Sequence, residues 1–209
     1  MSIRGYSSYD KTTKTLNYEK LIVLGPKKTS SYYCASEFKK QNLIDFKEIV
    51  LKDNFVDVYE FLSVNKDSIA LIPNAWKGIN EFYINDHLEI IASFLCDTKP
   101  YSLAGYKKSI DDYNGKIKIS THPAPLQMIQ NYIPDKIDYE IVITDSTEKA
   151  ADLVKTKEVD ICLSNELAIK DNELNILSSP FTITMLWSVF KNKKYKEIRK
   201  WNIFQMEKK

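Results

Sequence analysis

The sequence predicts an α/β fold in two lobes, and three observations predict it. Short apolar runs of strand character alternate with stretches whose apolar residues recur at helical spacing. Small hydroxyl or amide residues repeatedly mark the places where a strand gives way to a helix. Turn signals around residues 96–100 and 178–181, the second including Pro180, suggest that the chain crosses from one lobe to the other and back.

The strands are read at residues 21–24, 69–72, 117–119, 141–143, 161–163 and 182–190. Phe55, Val58, Tyr59 and Leu62 fall at i, i+3, i+4 and i+7, one face of a helix. Leu126, Ile129 and Ile133 form a similar stripe after a proline-containing start, and Ala150, Leu153 and Val154 mark another helix. Alternation of this kind predicts largely parallel sheets. Residues 1–18 are polar and are expected to be a flexible leader. The body is expected over 19–190, with lobe 1 at 19–100 plus 179–190 and lobe 2 at 101–178. The tail, 191–209, is basic with Tyr195, Ile198, Trp201 and Phe204 interleaved. It is expected to be helical and to dock on the body or on a second subunit, which leaves room for a homodimer.

Composition narrows the function classes. Of 209 residues, 44% are hydrophobic and 28% charged, a globular balance rather than a disordered one. Basic and acidic residues number 30 and 28, so charge offers no reason to invoke nucleic acid or a membrane surface. Cys34, Cys96 and Cys162 are far apart with no CxxC pair, which fits reduced core thiols rather than a disulfide scaffold or structural zinc. No apolar run approaches the roughly 20 residues of a membrane span. The first residues lack the apolar stretch of a secretory signal, so a cytoplasmic location is expected. No His, Cys and carboxylate cluster has metal-ligand spacing, and no glycine-rich phosphate loop is present, so neither metal nor nucleotide cofactor is expected.

The chemistry concentrates at five junctions: Thr29-Ser30-Ser31, Asn74-Ala75, Thr121-His122-Pro123, Asp145-Ser146-Thr147 and Ser164-Asn165. Each of these residue types makes a good helix N-cap, and Asp145 with Glu148 has capping-box spacing. Five together also suggest a ligand, because parallel sheets place these turns on one edge and helix N-termini favour anions. A small dianion held between the lobes is the reading that spacing and composition support. His122 has a suitable pKa range for proton transfer, and His87 lies in a polar stretch and is expected to be exposed.

The same junctions resemble the prephenate dehydratase-like family. Leu24-Gly25-Pro26-Lys27-Lys28-Thr29-Ser30-Ser31 resembles its LGPxGTxS opening, and Thr121-His122-Pro123-Ala124-Pro125-Leu126 its SHPxxL segment. Ser146-Thr147-Glu148-Lys149-Ala150-Ala151 resembles its STxxAA helix start, and the stretch from Ile161 to Ala168 its AAIASxxAA run. The resemblance implies a two-lobed prephenate dehydratase catalytic-domain fold of the periplasmic-binding-protein type 2-like kind, without the ACT regulatory domain that usually follows.

The departures are as informative. Where dehydratases carry Thr-Arg-Phe, with the Thr tied to loss of the ring hydroxyl, this chain has Trp187-Ser188-Val189. Their Glu-Asn-Ser segment is Pro73-Asn74-Ala75 here, and the glycine before Thr29 is Lys28. Apart from Lys28, which departs from this pattern too, these departures resemble a narrower branch, the non-aromatising prephenate decarboxylases of bacilysin (anticapsin) biosynthesis. The matching segments are Pro73-Asn74-Ala75-Trp76-Lys77-Gly78, Cys96-Asp97-Thr98, Thr121-His122-Pro123-Ala124-Pro125, Ser164-Asn165-Glu166-Leu167-Ala168 and Met185-Leu186-Trp187-Ser188-Val189-Phe190.

The branch resemblance implies that prephenate loses CO2 while the ring hydroxyl stays, giving dihydro-4-hydroxyphenylpyruvate in antibiotic or non-proteinogenic amino-acid biosynthesis. It implies Thr29, Ser30, Ser31, Asn74, Ala75, Thr147, Ser164, Asn165 and Met185 as substrate contacts, and His122, Trp187 and Ser188 as catalytic residues. Trp187 reads either as a core aromatic or as a space-filling replacement that withholds an acid. The proton donor reads as His122 or a bound water. A dehydratase lacking its regulatory domain and a non-catalytic small-carboxylate-binding protein remain the alternative readings.

Overall fold

Ile3, at the edge of the core, and the strand that follows it show at once how the leader behaves. The structure is a computed structural model that describes residues 3–9 and 17–193. Strand β1 (Arg4–Ser8) pairs antiparallel with β5 (Leu88–Asp97). Ile3 is buried, and the Tyr6 ring lies 6.5 Å from that of Phe38. The flexible leader expected over 1–18 is therefore corrected for its described part. The long strand β5 would otherwise leave a row of backbone groups open at the sheet edge, and β1 pairs with it there.

The chain divides into two units, Met1–Thr98 with Thr184–Lys209, and Lys99–Ile183. In the first, β2 (Tyr18–Leu24), β3 (Phe46–Lys52) and β4 (Ser68–Pro73) join β1, β5 and β11 (Thr184–Asn192) in a six-stranded sheet ordered β1-β5-β11-β4-β2-β3. Strand β2 runs parallel to β3 and β4, whereas β11 runs antiparallel to β4 and β5. The sheet is thus mixed, where alternation alone predicts a largely parallel one. The strand that returns from the second unit enters at the carboxyl edge of β4 and must run against it.

Period-two alternation sends Leu21 and Val23 to one face of this sheet and Ile22 to the other. The first face packs on α1 (Ser30–Lys40), whose buried Ser31, Cys34, Ala35 and Phe38 fall at helical spacing. Phe38 stacks on Phe94 at 4.8 Å. The second face packs on α2 (Phe55–Val64), which buries the predicted stripe of Phe55, Val58, Tyr59 and Leu62. Asn54 caps α2, its Oδ1 accepting from Asp57 N at 2.9 Å. The short helix α3 (Asn80–Tyr83) adds Phe82 to the same core.

In the second unit, β6 (Tyr101–Gly105), β7 (Ile117–Thr121), β8 (Tyr139–Ile143), β9 (Ile161–Asn165) and β10 (Asn175–Ile176) are ordered β10-β6-β9-β7-β8. Strands β7, β8 and β9 are parallel, while β6 runs against β9. Helices α4 (Thr147–Lys155) and α5 (Glu166–Asp171) pack with Ala104 and Cys162 in one core. The expected helix around Leu126 is a 3-10 segment, Leu126–Asn131. Pro123, Pro125 and Pro134 frame it, and a proline offers no N–H to an α-helical ladder. Of the expected tail, Lys191 and Asn192 end β11, and residues 194–209 lie outside the described residues. Among the described residues no helix is long and apolar enough to cross a membrane.

Candidate active site

The first unit gathers its candidates at one sheet edge. Strands β2 and β4 run parallel, so the turns after Leu24 and Pro73 lie on the same side, the side where ligands collect in open α/β sheets. Thr29 is the N-cap of α1. Its Oγ1 accepts from Tyr32 N at 3.2 Å and shares its single proton between the carbonyls of Leu24 and Pro26, each 2.9 Å away. Ser30 and Ser31 open the helix, and Ser31 is buried.

Asn74 follows β4 immediately, and its N–H donates to Leu186 O at 2.9 Å. Because β11 is antiparallel, its first half meets this edge, with Trp187 opposite Pro73 and Ser188 opposite Ile72. Ser188, only 1% exposed, donates to Asn74 Oδ1 at 2.8 Å. Tyr83, at the end of α3, completes the group. Its hydroxyl accepts from Asn74 Nδ2 at 2.8 Å and lies 3.0 Å from Ser188 Oγ. Ala75 is exposed beside Asn74. Met185 and Trp187 turn to the opposite face and join the α1 core with Cys34, Cys96 and Phe94. Trp187 is 1% exposed, and its Nε1 is buried without a hydrogen-bond partner among the described residues. An unpaired buried N–H of this kind costs about 1–3 kcal/mol. Asp97 and Thr184 mark the edge's rim, where Arg4 Nη2 reaches Asp97 Oδ1 at 2.7 Å and Thr184 Oγ1 donates to the same oxygen at 2.6 Å.

The second unit has a corresponding edge at the carboxyl ends of β7, β8 and β9. Asn165 caps α5 with Oδ1, 3.1 Å from the N–H groups of Leu167 and Ala168, and its Nδ2 donates to Thr147 Oγ1 at 2.9 Å. Ser164, fully buried, donates to the Thr147 carbonyl at 2.6 Å. Thr147, Ser164 and Asn165 are therefore brought together, and these bonds use the Ser164 hydroxyl internally. The cap of α4 is Ser146, accepting from Lys149 N at 3.1 Å, where capping-box spacing points to Asp145.

His122, half-buried at the end of β7, accepts the Ala124 N–H at Nδ1, 3.2 Å away. That bond places the ring proton of a neutral imidazole on Nε2. Burial pushes its pKa below the ordinary 6.5, and the nearby carboxylates of Asp145 and Glu148 oppose the shift. Glu148 has one carboxylate oxygen buried without a hydrogen-bond partner among the described residues. No cluster of three or more His, Cys, Asp or Glu side chains able to hold a metal ion occurs among the described residues. Tyr83 and Glu148 are absent from the candidates that sequence reasoning selects. Tyr83 has no local signal, since it meets Ser188 from 105 positions away.

This sheet order and these edges define an α/β protein with the prephenate dehydratase fold. A prephenate dehydratase from Arthrobacter aurescens, in complex with L-Phe, matches with a TM-score of 0.61 at 15% identity, covering 87% of this chain and 63% of that one. A second, from Staphylococcus aureus, matches with a TM-score of 0.55 at 19% identity, covering 84% and 68%. At such identities the likeness shows the fold alone, and this chain spans about two thirds of the length of those chains. No family model matches the sequence. Two curated relatives narrow the class. A prephenate decarboxylase from Bacillus subtilis is 32% identical over 197 residues, 88% of this chain and 93% of that protein. Another, from Planktothrix agardhii, is 29% identical over 177 residues, 81% and 86% of the two chains. The chain belongs to the prephenate decarboxylase family.

Proposed function

We propose that this protein decarboxylates prephenate without making its ring aromatic, releasing CO2 and dihydro-4-hydroxyphenylpyruvate. The observation that carries the reading is the 32% identity to a prephenate decarboxylase across 93% of that protein. In the reaction, the bond from ring carbon to carboxylate breaks and its electron pair moves into the diene. A proton then adds at a ring carbon, and the ring hydroxyl stays.

Such an enzyme must hold the dianion and offer no acid to the hydroxyl. The start of α1, where Ser30 and Ser31 open the helix, suits a carboxylate, and Thr29 shapes that turn. Asn74 and Ala75 border the same edge, and Thr147 and Asn165 are polar contacts on the second unit's edge. Holding the substrate in a single orientation supplies a large share of barrier lowering without a cofactor. Burial favours neutral His122 near pH 7, so His122 orients a water with its Nε2–H and the water delivers the proton. By the resemblance, Trp187 stands where dehydratases have their Thr, and an indole fills space and is a poor proton donor. Met185 and Trp187 act from the core side, as packing beneath the edge. The resemblance to the bacilysin branch extends the reading to antibiotic or non-proteinogenic amino-acid biosynthesis in the cytoplasm.

The test is incubation of pure protein with prephenate at neutral pH, followed by mass spectrometry and ultraviolet spectra. Loss of CO2 alone, with no aromatic absorbance, is expected. Phenylpyruvate would make the protein a dehydratase, and unchanged prephenate would remove the prephenate reading.

A further inference from the structure

The Asn74, Ser188 and Tyr83 side chains form a closed ring of three hydrogen bonds, with contacts of 2.8, 2.8 and 3.0 Å. A proton count constrains what this ring can do. Serine and tyrosine each carry one hydroxyl proton, and the asparagine amide carries two. Ser188 gives its proton to Asn74 Oδ1, so the third contact must be Tyr83 donating to Ser188 Oγ. Turning the Asn74 amide over reverses every bond and leaves the ring closed. In either sense both hydroxyl protons stay inside it. Only one Asn74 N–H is left over for an incoming ligand.

We propose that Tyr83 is a positioning residue for the reaction: its hydroxyl closes the ring that holds the plane of the Asn74 amide and keeps the Ser188 proton away from the substrate. The inference rests on the prephenate decarboxylase reading above. Ser188 lies beside Trp187, in the segment where the resemblance places the dehydratases' hydroxyl-bearing residue. A serine there could act as an acid, and the ring removes that acidity without removing the hydroxyl. Placement supports the role. Tyr83 is 43% exposed and its ring lies edge-on to Phe190 at 5.3 Å, so the phenol is held from below while the amide edge stays reachable. Phe82, buried at 1%, anchors the short helix that presents it.

The test is Tyr83→Phe, which deletes the hydroxyl and keeps the ring against Phe190. Without the phenol, Asn74 can turn over and donate to Ser188 Oγ, freeing the Ser188 proton. Losing one orienting hydrogen bond is expected to lower kcat about tenfold. It is also expected to release some phenylpyruvate, formed when the electron pair expels the ring hydroxyl, which leaves as water after taking a proton. The double variant Tyr83→Phe with Ser188→Ala should again give no aromatic product, which a merely structural role for Tyr83 would not produce.

An active wild type whose Y83F variant keeps its kcat and its single product overturns the inference and leaves the reading intact. A wild type inactive on prephenate overturns the reading and the inference with it. Should Y83F fail to fold, hydrogen exchange of the Asn74 side-chain amide in the wild type decides. One protected proton upholds the ring, and free exchange of both overturns it.

Discussion

Thr29→Ala separates a cap from a ligand contact at the most recognisable segment of the chain. In the structure the Thr29 hydroxyl caps an eleven-residue helix through Tyr32 N and ties back the turn through Leu24 and Pro26 carbonyls. Loss of an N-cap costs about 1 kcal/mol. Loss of the hydroxyl's own donated bond costs about 1 kcal/mol more, for a total of about 2 kcal/mol. For a chain of this size each 1 kcal/mol lowers Tm by roughly 2–4 °C. The alanine variant should therefore melt about 4–8 °C below the wild type, on the same scale. Thr29→Ser keeps the oxygen and should recover most of the loss. The assay is thermal unfolding followed by circular dichroism at matched pH and protein concentration, with KM for prephenate measured in parallel. An alanine variant with unchanged Tm and a raised KM would refute the capping argument and make Thr29 a direct substrate contact.

Other expectations follow from single sites. A methyl group on Gly105 would collide with the Tyr113 hydroxyl and meet Ile161 Cγ2 at 2.9 Å and the Asp160 carbonyl at 3.1 Å. Gly105→Ala should thus cost about 1–3 kcal/mol in urea unfolding, and a variant as stable as the wild type would show that β6 shifts freely. For His122, burial lowers the folded-state pKa below 6.5, so the unfolded chain takes up its proton first as pH falls. Its contribution to stability is present above 6.5 and lost as pH falls below that value towards the lower folded pKa. His122→Gln should therefore lose less Tm than the wild type between neutral and mildly acidic pH, and equal losses would contradict this. Cys34, Cys96 and Cys162 are all buried. Burial pushes the Cys162 thiol up to about 12 and Cys34 well above its ordinary range, while the bond from Cys34 lowers Cys96. Ellman's reagent should find almost no thiol in the native protein and all three after denaturation, with Cys96 reacting first in intermediate denaturant. Rapid native labelling would mean that these sites open.

Much of this was legible because helix signals are local. The apolar stripe of α2 reads directly from its spacing, and α2 buries those four residues. Capping reaches only two or three positions along the chain, so junction residues such as Thr29, Ser146 and Asn165 stand where their types suggest. The shift from Asp145 to Ser146 as the α4 cap shows the limit: neighbouring residues compete for one amide, and backbone direction decides between them. Strand β1 was harder to see. Arg4 to Ser8 is short and polar, and its pairing comes from the open edge of β5, more than 80 residues later.

Residue types and their order along the chain were enough to settle the α/β class and the alternation of strands and helices. The ordered motifs also carried the resemblance to the decarboxylase branch, because motif order survives in the linear sequence. Tertiary structure alone decided which hydroxyls are available. Ser164 and Ser188 look like free polar groups in sequence, yet one donates to Thr147 and the other to Asn74, from 17 and 114 positions away. It also decided that Trp187 faces the α1 core while its neighbour Ser188 faces the Tyr83 side. The reason is that a hydrogen bond between side chains needs oxygens and nitrogens within about 3 Å. Strand register and sheet order set such distances, and no local periodicity encodes either one.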